Sequence, residues 1–412
     1  MEPIQYIREF AKEYAEEALS ERGETILKRY RDHNSLKIVR PPVVVFEIPW
    51  GEFAKEEELQ CKCEDNQYHG VEYQMRSALF QIKHFGGDFI VHPYYRVGVG
   101  IMHHESGIAI KEKTISSNTG TYVMAHEYED VLPDYESLEK IQMPAITLNN
   151  EITENRLEFA DKIFNGIMPY KKCGYFLNFA TWDRIAQYRG VENSLMDLYE
   201  RPEFIHAMVE KFTQVCESTI DQYEKLNALD TDPYYIGTSP SPTYELPYKD
   251  IDKEIITRKD AWVRVMAQMF STVSPEMHDE FDFRYTQRLF EGFGLSYYGC
   301  CEPLDNKIGL MKKRFKNLRK VSITPWANVE NAAEQLGSDY ILSYKPNPSF
   351  VAGVSFDPEP VVAELEHVIK TCLKYNTPLE FILKDISTTG KGNYHNLTQW
   401  METANKVIDK FY

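Results

Sequence analysis

The chain has 412 residues, 43% of them hydrophobic, with 46 Lys+Arg against 63 Asp+Glu and a formal net charge of -17. That balance, with no long basic run, argues against nucleic-acid binding. No apolar run approaches the ~20 residues a membrane helix needs. Met1-Glu2-Pro3-Ile4-Gln5 lacks the basic and apolar regions of a secretory signal, so a cytoplasmic protein is expected.

Ile4, Ile7, Ala11, Tyr14 and Ala18, spaced by three and four, fall on one face of a predicted helix. A second short helix follows near 25–32, and the two form an N-terminal helical extension over 1–35. The first strand is predicted at 43–48, a β-branched run of the kind buried on both faces of a parallel sheet. A helix over 71–85 then stops at Gly86-Gly87, before strands at 88–91 and 174–179. Pro202 suits the first turn of a helix whose buried face carries Ile205, Met208, Phe212, Val215, Thr219 and Tyr223. A strand at 262–268 leads to a helix opened by Ser274-Pro275 and a strand at 295–300. Further strands at 319–324, 339–343 and 378–383 alternate with helices at 329–336, 361–373 and 397–411.

Eight strands separated by helices predict one (β/α)8 barrel over 36–412. A doubly wound open sheet is the alternative. Two stretches break the rhythm. Residues 103–148, with alternating segments at 107–111 and 121–125, read as a β-rich insertion after the second strand. Residues 230–252 are rich in Tyr, Pro and Ser. Both are expected as lids above the strand ends.

Barrel chemistry sits at the carboxyl ends of strands. Those ends supply Glu47, His92, Gln268, Trp326, Lys345 and Asn347 as candidate substrate-binding residues, and Tyr298, Glu302, Lys384 and Asp385 as candidate catalytic ones. The densest stretch is Tyr297-Tyr298-Gly299-Cys300-Cys301-Glu302-Pro303. Strand alternation puts Tyr298, Cys300 and Glu302 on one side and Cys301 on the other. A thiolate beside a carboxylate suits zinc. His278, His92 and Glu47 are candidates for a third ligand, with the set Cys300, Glu302 and His278 preferred. The plainer reading makes the cysteines packing residues and Glu302 a helix cap. His103-His104-Glu105, Cys61-Lys62-Cys63 and Thr388-Thr389-Gly390-Lys391-Gly392 are set aside. Adjacent histidines rarely share a metal, the cysteine pair lacks a second pair, and the glycine loop lacks the P-loop spacing.

The run Val273-Ser274-Pro275-Glu276-Met277-His278-Asp279-Glu280-Phe281, then Tyr285, then Phe293-Gly294-Leu295 and the strand to Cys300, resembles the uroporphyrinogen decarboxylase superfamily. Arg201-Pro202-Glu203-Phe204-Ile205-His206 is also similar to its helix after the third strand. The resemblance runs from about Leu36 to the C-terminus. It implies a single (β/α)8 barrel that either decarboxylates porphyrinogens without a cofactor or transfers methyl groups with zinc and a corrinoid protein. The decarboxylases carry an arginine-rich stretch after the first strand. Here that place reads Glu47-Ile48-Pro49-Trp50-Gly51-Glu52, acidic and repulsive to a polycarboxylate. The methyltransferase branch implies His-x-Cys at Tyr298-Gly299-Cys300 and a further cysteine two strands later. Cys300 matches, Tyr298 replaces the histidine, and the later place, near Lys345-Pro346-Asn347, has no cysteine. The expectation is therefore a zinc-dependent methyltransferase or demethylase working with a corrinoid partner on a small methylated substrate. A small-carboxylate decarboxylase or lyase using Lys384 and Lys345, and a non-catalytic binding barrel, are the alternatives.

Overall fold

The computed structural model describes residues 3–104, 107–116, 124–247, 255–390 and 392–412. Two helices open it, α1 (Pro3–Ala18) and α2 (Glu21–Asn34), the second capped by the Ser20 side chain on the Gly23 amide. Seven strands then build one parallel sheet: β1 (Val43–Val45), β2 (Leu177–Phe179), β3 (Trp262–Val265), β4 (Leu295–Tyr298), β5 (Leu318–Ile323), β6 (Ile341–Tyr344) and β7 (Leu379–Leu383). Their order across the sheet is β1-β7-β6-β5-β4-β3-β2. From β2 to β7 each strand pairs with its sequence neighbour, and β1 pairs with β7 alone, with Val45 opposite Leu383. That is the winding of a barrel and not of a doubly wound sheet, whose strand order reverses at a switch point.

The expected eighth strand is not in the ladder. Residue 88 still lies beside β1, with the Asp88 amide donating to Val43 O at 2.8 Å. One residue pair further on, the Tyr235 hydroxyl takes both backbone groups of Ile90, accepting from its amide at 2.8 Å and donating to its carbonyl at 3.1 Å. A side chain thus satisfies the groups a ladder would use. Among the described residues the sheet is a curled seven-stranded half-barrel.

Outward side chains of the strands pack under the helices as the main core, with Val43, Val45, Val263, Val265, Tyr298, Val321, Ile323, Phe381 and Leu383 among them. The first insertion forms antiparallel ladders, Ile101–His104 with Ala145–Leu148 and Glu112–Ser116 with Met124–Tyr128. Residues 121–123 of one expected segment, Glu105, Lys391 and residues 248–252 of the second insertion lie outside the described residues. The rest of the second insertion is not above the carboxyl ends. Its short hairpin, Tyr235–Ile236 with Ser239–Pro240, enters the cup at the amino-terminal half of the strands. There the Trp262 indole donates to Ser241 O, and the Asn34 amide donates to Pro240 O and Pro242 O. α2 and this hairpin therefore close the end opposite the expected active site. Among the described residues no helix is long and apolar enough to cross a membrane.

Candidate active site

Period-two alternation places charged side chains inside apolar strands. Glu380, Ile382 and Lys384 of β7 and its end face the cup, as do Lys320 and Ser322 of β5, Ser343 and Lys345 of β6, and Arg264 of β3. They form three layers. At the closed end Lys320 Nζ donates to Glu380 at 2.8 Å, Ser239 Oγ at 2.8 Å and Pro240 O at 2.6 Å. Burial pushes the lysine down to about 8 against the pull of Glu380. Burial works against ionisation of Glu380 too, yet Lys320 holds it well below the carboxylate range. In the middle layer Lys345 Nζ donates to the Tyr297 hydroxyl (2.9 Å), Ser343 Oγ (2.7 Å) and Ser343 O (3.3 Å). Arg264 lies over the same Tyr297 ring, 5.1 Å from its centroid, and donates twice to Gly299 O.

The open end carries the reactive groups. Lys384, with only 2% of its side chain exposed, stands 3.2 Å from Glu47 and 3.2 Å from Asp385. It also donates to Cys300 Sγ at 3.3 Å. Cys301 Sγ lies 3.5 Å from Cys300 Sγ and 3.2 Å from Asp385 Oδ2, so its one S–H serves either of the two. Hydrogen bonding from Cys301, then Arg264 and Lys384, overcome burial to bring the Cys300 thiol from 9.0 to about 6. Cys301 is pushed upward, chiefly by that same bond, so the pair holds one thiolate, on Cys300. Burial, then a hydrogen bond with Asp385, raises the Glu47 carboxyl, with Lys384 opposing. Asp385 is held low despite its burial, by its bond with Glu47 and by Lys384.

The backbone is bent to make this cluster. Glu47 and Asp385 sit two residues past the register pair Val45 and Leu383 and adopt φ of 52° and 58°. Left-handed backbone at a non-glycine residue costs about 1–3 kcal/mol and gathers at functional sites. The Asp385 amide returns to Glu47 Oε2 at 2.9 Å. Gly299, at φ 99°, rephases the end of β4. A Cβ there would lie 2.5 Å from Leu304 Cδ1.

That glycine corrects the simple alternation reading. Tyr297, not Tyr298, faces the cup. Tyr298 lies in the helical layer against Phe283, Phe290 and Phe315, donating to Asp282 at 2.6 Å and meeting His278 Nε2 at 2.7 Å. Cys301, expected to point away, joins the Lys384 cluster. Glu302 is buried and cradles backbone, accepting from the Ala267 amide at 3.1 Å and the Cys300 amide at 2.8 Å. His278 is buried between Phe270 and Phe283. Cys300, Glu302 and His278 therefore do not converge. Among the described residues no three His, Cys, Asp or Glu side chains are grouped to hold a metal. The donor set does not fit zinc, which needs at least three protein ligands.

Of the remaining candidates, Glu47, Lys384 and Asp385 come together. Lys345 has three ammonium hydrogens and three acceptors within the fold, leaving no donor for a substrate carboxylate. Gln268 donates to Asp183 at 2.7 Å, beside a 480 Å³ cleft lined by Asn178, Asp183 and Cys216. Asn347 caps the turn Pro348–Val351. Trp326 is 71% exposed. The His92 ring lies against Tyr234 at an interplanar angle of 30°, in a 320 Å³ cavity with Arg96 and Asp230. Burial and then Arg96 and Lys171 push it down to about 2. Arg264 was legible as a charge at an inward position of the apolar run Trp262–Val265. The role of Cys301 depends on the Gly299 conformation, which the residue sequence does not state.

No protein-family model matches the sequence, and no curated protein matches it. Among solved structures the fold is similar to a methyltransferase from Methanosarcina mazei, with TM-score 0.51 at 10% identity. The match covers 94% of this chain and 99% of that one. At that identity the likeness is one of fold.

Proposed function

We propose that the protein is a methyltransferase, or the demethylating component of one, acting on a small methylated substrate at the Lys384 cluster. Its methyl group would be exchanged with a corrinoid carried by a partner protein. One observation carries the reading: an acid, an ammonium and a thiolate converge at the strand ends of a fold similar to that of a methyltransferase. Breaking a CH3–X bond leaves its electron pair on the heteroatom X, while the acceptor supplies the pair for the new bond to carbon. The Glu47 carboxyl gives its proton to X and becomes a carboxylate, so atoms and charge balance. Asp385 orients that carboxyl through their shared hydrogen bond. Because Cys300, Glu302 and His278 do not converge, no step is assigned to zinc.

The test is to incubate purified protein with cob(I)alamin and, separately, methylated amines, methyl thioethers and methoxy compounds, following methylcobalamin by absorbance. Turnover with one class is expected, and Glu47→Gln lowers it by about 100-fold or more, the usual contribution of a general acid. Absence of methylcobalamin with every class, with the protein folded, removes the reading.

A further inference from the structure

We propose that Cys300 and Cys301 form an oxidisable dithiol, a modification site in which Cys300 is the attacking sulfur, Cys301 the resolving one and a hydroperoxide the oxidant. The direction of two neighbouring side chains carries this. Successive residues of an extended strand point to opposite faces, which would hold the two thiols apart. Gly299, at φ 99°, ends the extended backbone just before them, and both sulfurs turn into one cluster, 3.5 Å from each other. Lys384 Nζ stands 3.3 Å from Cys300 Sγ, and Asp385 Oδ2 stands 3.2 Å from Cys301 Sγ. A cation faces the first thiol and a carboxylate the second. The attacking form of a thiol is the thiolate, which a neighbouring ammonium favours. That asymmetry assigns the two roles.

The half-exposed Glu47 and Asp385 and the partly exposed Cys301 open the cluster to a small oxidant. Elsewhere burial pushes Cys63 up to about 11 and Cys216 and Cys372 up to about 12, so these thiols compete poorly. The Cys300 thiolate attacks one oxygen of hydrogen peroxide and breaks the O–O bond. It becomes a sulfenic acid, and the departing hydroxide takes a proton from solvent to leave as water. Cys301 then attacks the Cys300 sulfur, the S–O bond breaks, and the hydroxyl leaves with the Cys301 proton as a second water. Two thiols are oxidised to one disulfide and one peroxide is reduced to two waters. Adjacent Cα atoms are about 3.8 Å apart across a trans peptide, closer than the ~4.4 Å at which disulfides ordinarily begin. The bond therefore closes under strain, and external thiols reopen it readily. None of this rests on the methyl-transfer reading, and the test follows sulfur alone.

Trypsin releases Leu289–Lys307, a fragment that holds Cys300 and Cys301 and no other cysteine. Reduced protein is treated with hydrogen peroxide, quenched by alkylation, digested and weighed. The fragment is expected to lose the mass of two hydrogens before the other cysteines are modified, and dithiothreitol restores it. In urea, where Gly299 no longer turns the thiols together, the reaction is at least ~10-fold slower. Cys301→Ser stops Cys300 at a sulfenic acid that dimedone labels. Cys300→Ser, whose remaining thiol faces Asp385, reacts at least ~10-fold more slowly than Cys301→Ser. A fragment that keeps both thiols while other cysteines oxidise overturns the inference. So does an equal rate in folded and urea-treated protein, a comparison that needs no variant. Equal rates in the two serine variants, each folded by circular dichroism, overturn the assignment of roles.

Discussion

Replacing Lys384 with Met removes a unit charge 3.3 Å from Cys300 Sγ while keeping the length of the side chain. At an effective dielectric of ~20, Coulomb attraction at that distance is ~5 kcal/mol, or between three and four pKa units. Part of it is screened at the half-exposed end of the cup, and the hydrogen bond from Cys301 remains. A rise of about two units is therefore expected. The thiol then moves from about 6 in the wild type to about 8 in the variant, and the thiolate fraction at pH 7 falls by about tenfold. The sign is that of an acid whose folded value lies below its unfolded 9.0. The stability contributed by its ionisation is complete above about pH 9 and is lost as pH falls through about 6. The assay is the pH profile of iodoacetamide alkylation at Cys300, read by peptide mass spectrometry. A midpoint in Lys384→Met within half a unit of wild type would mean that the ammonium does not set the thiol. Cys301→Ser then identifies the remaining cause.

At the closed end, Glu380→Gln leaves the fully buried Lys320 ammonium without its counter-charge. The loss of unfolding free energy is expected to be about 3–5 kcal/mol in urea denaturation, and a loss below about 1 kcal/mol speaks against a charged pair. Gly299→Ala forces a Cβ to 2.5 Å from Leu304 Cδ1 at φ 99°. It should cost about 1–3 kcal/mol and raise the alkylation midpoint of Cys300, and a low midpoint in a folded variant removes the rephasing role given to Gly299.

The alternation of strands and helices was legible because each strand is a short apolar run closed by a turn residue. The stretches 43–48, 295–300 and 378–383 contain the observed strands Val43–Val45, Leu295–Tyr298 and Leu379–Leu383. The missing closure was not legible, because the run at 88–91 is as apolar as the others. What keeps it out of the ladder is the hydroxyl of Tyr235, about 145 residues away and itself in an insertion that looked like a lid. The candidate site divides in the same way. Lys384 and Asp385 were legible at a strand end, and Glu47 at the end of β1. The metal set failed for a local reason: period-two counting from Tyr298 to Glu302 passes through Gly299, where the backbone leaves the extended region. Counting on either side of that glycine is sound, as the inward run Glu380, Ile382, Lys384 demonstrates.

The charge held inside the cup bears on the direction of proton transfer. The chain carries a net charge of -17, yet it turns four cations inward, Arg264, Lys320, Lys345 and Lys384. Against them stand Glu380 and Asp385, both held low, the lowered Cys300 thiol and the buried Glu302, while burial raises the Glu47 carboxyl. The layered cations beneath the cluster favour the carboxylate form of Glu47 electrostatically, even though Lys320 and Lys345 touch neither Glu47 nor the open end. Replacement of Lys345 by Met, which leaves every group around Lys384 in place, should weaken Glu47 as an acid. The acidic limb of the transfer rate against pH reads that change, and an unshifted limb would confine the acid's control to Lys384 and Asp385.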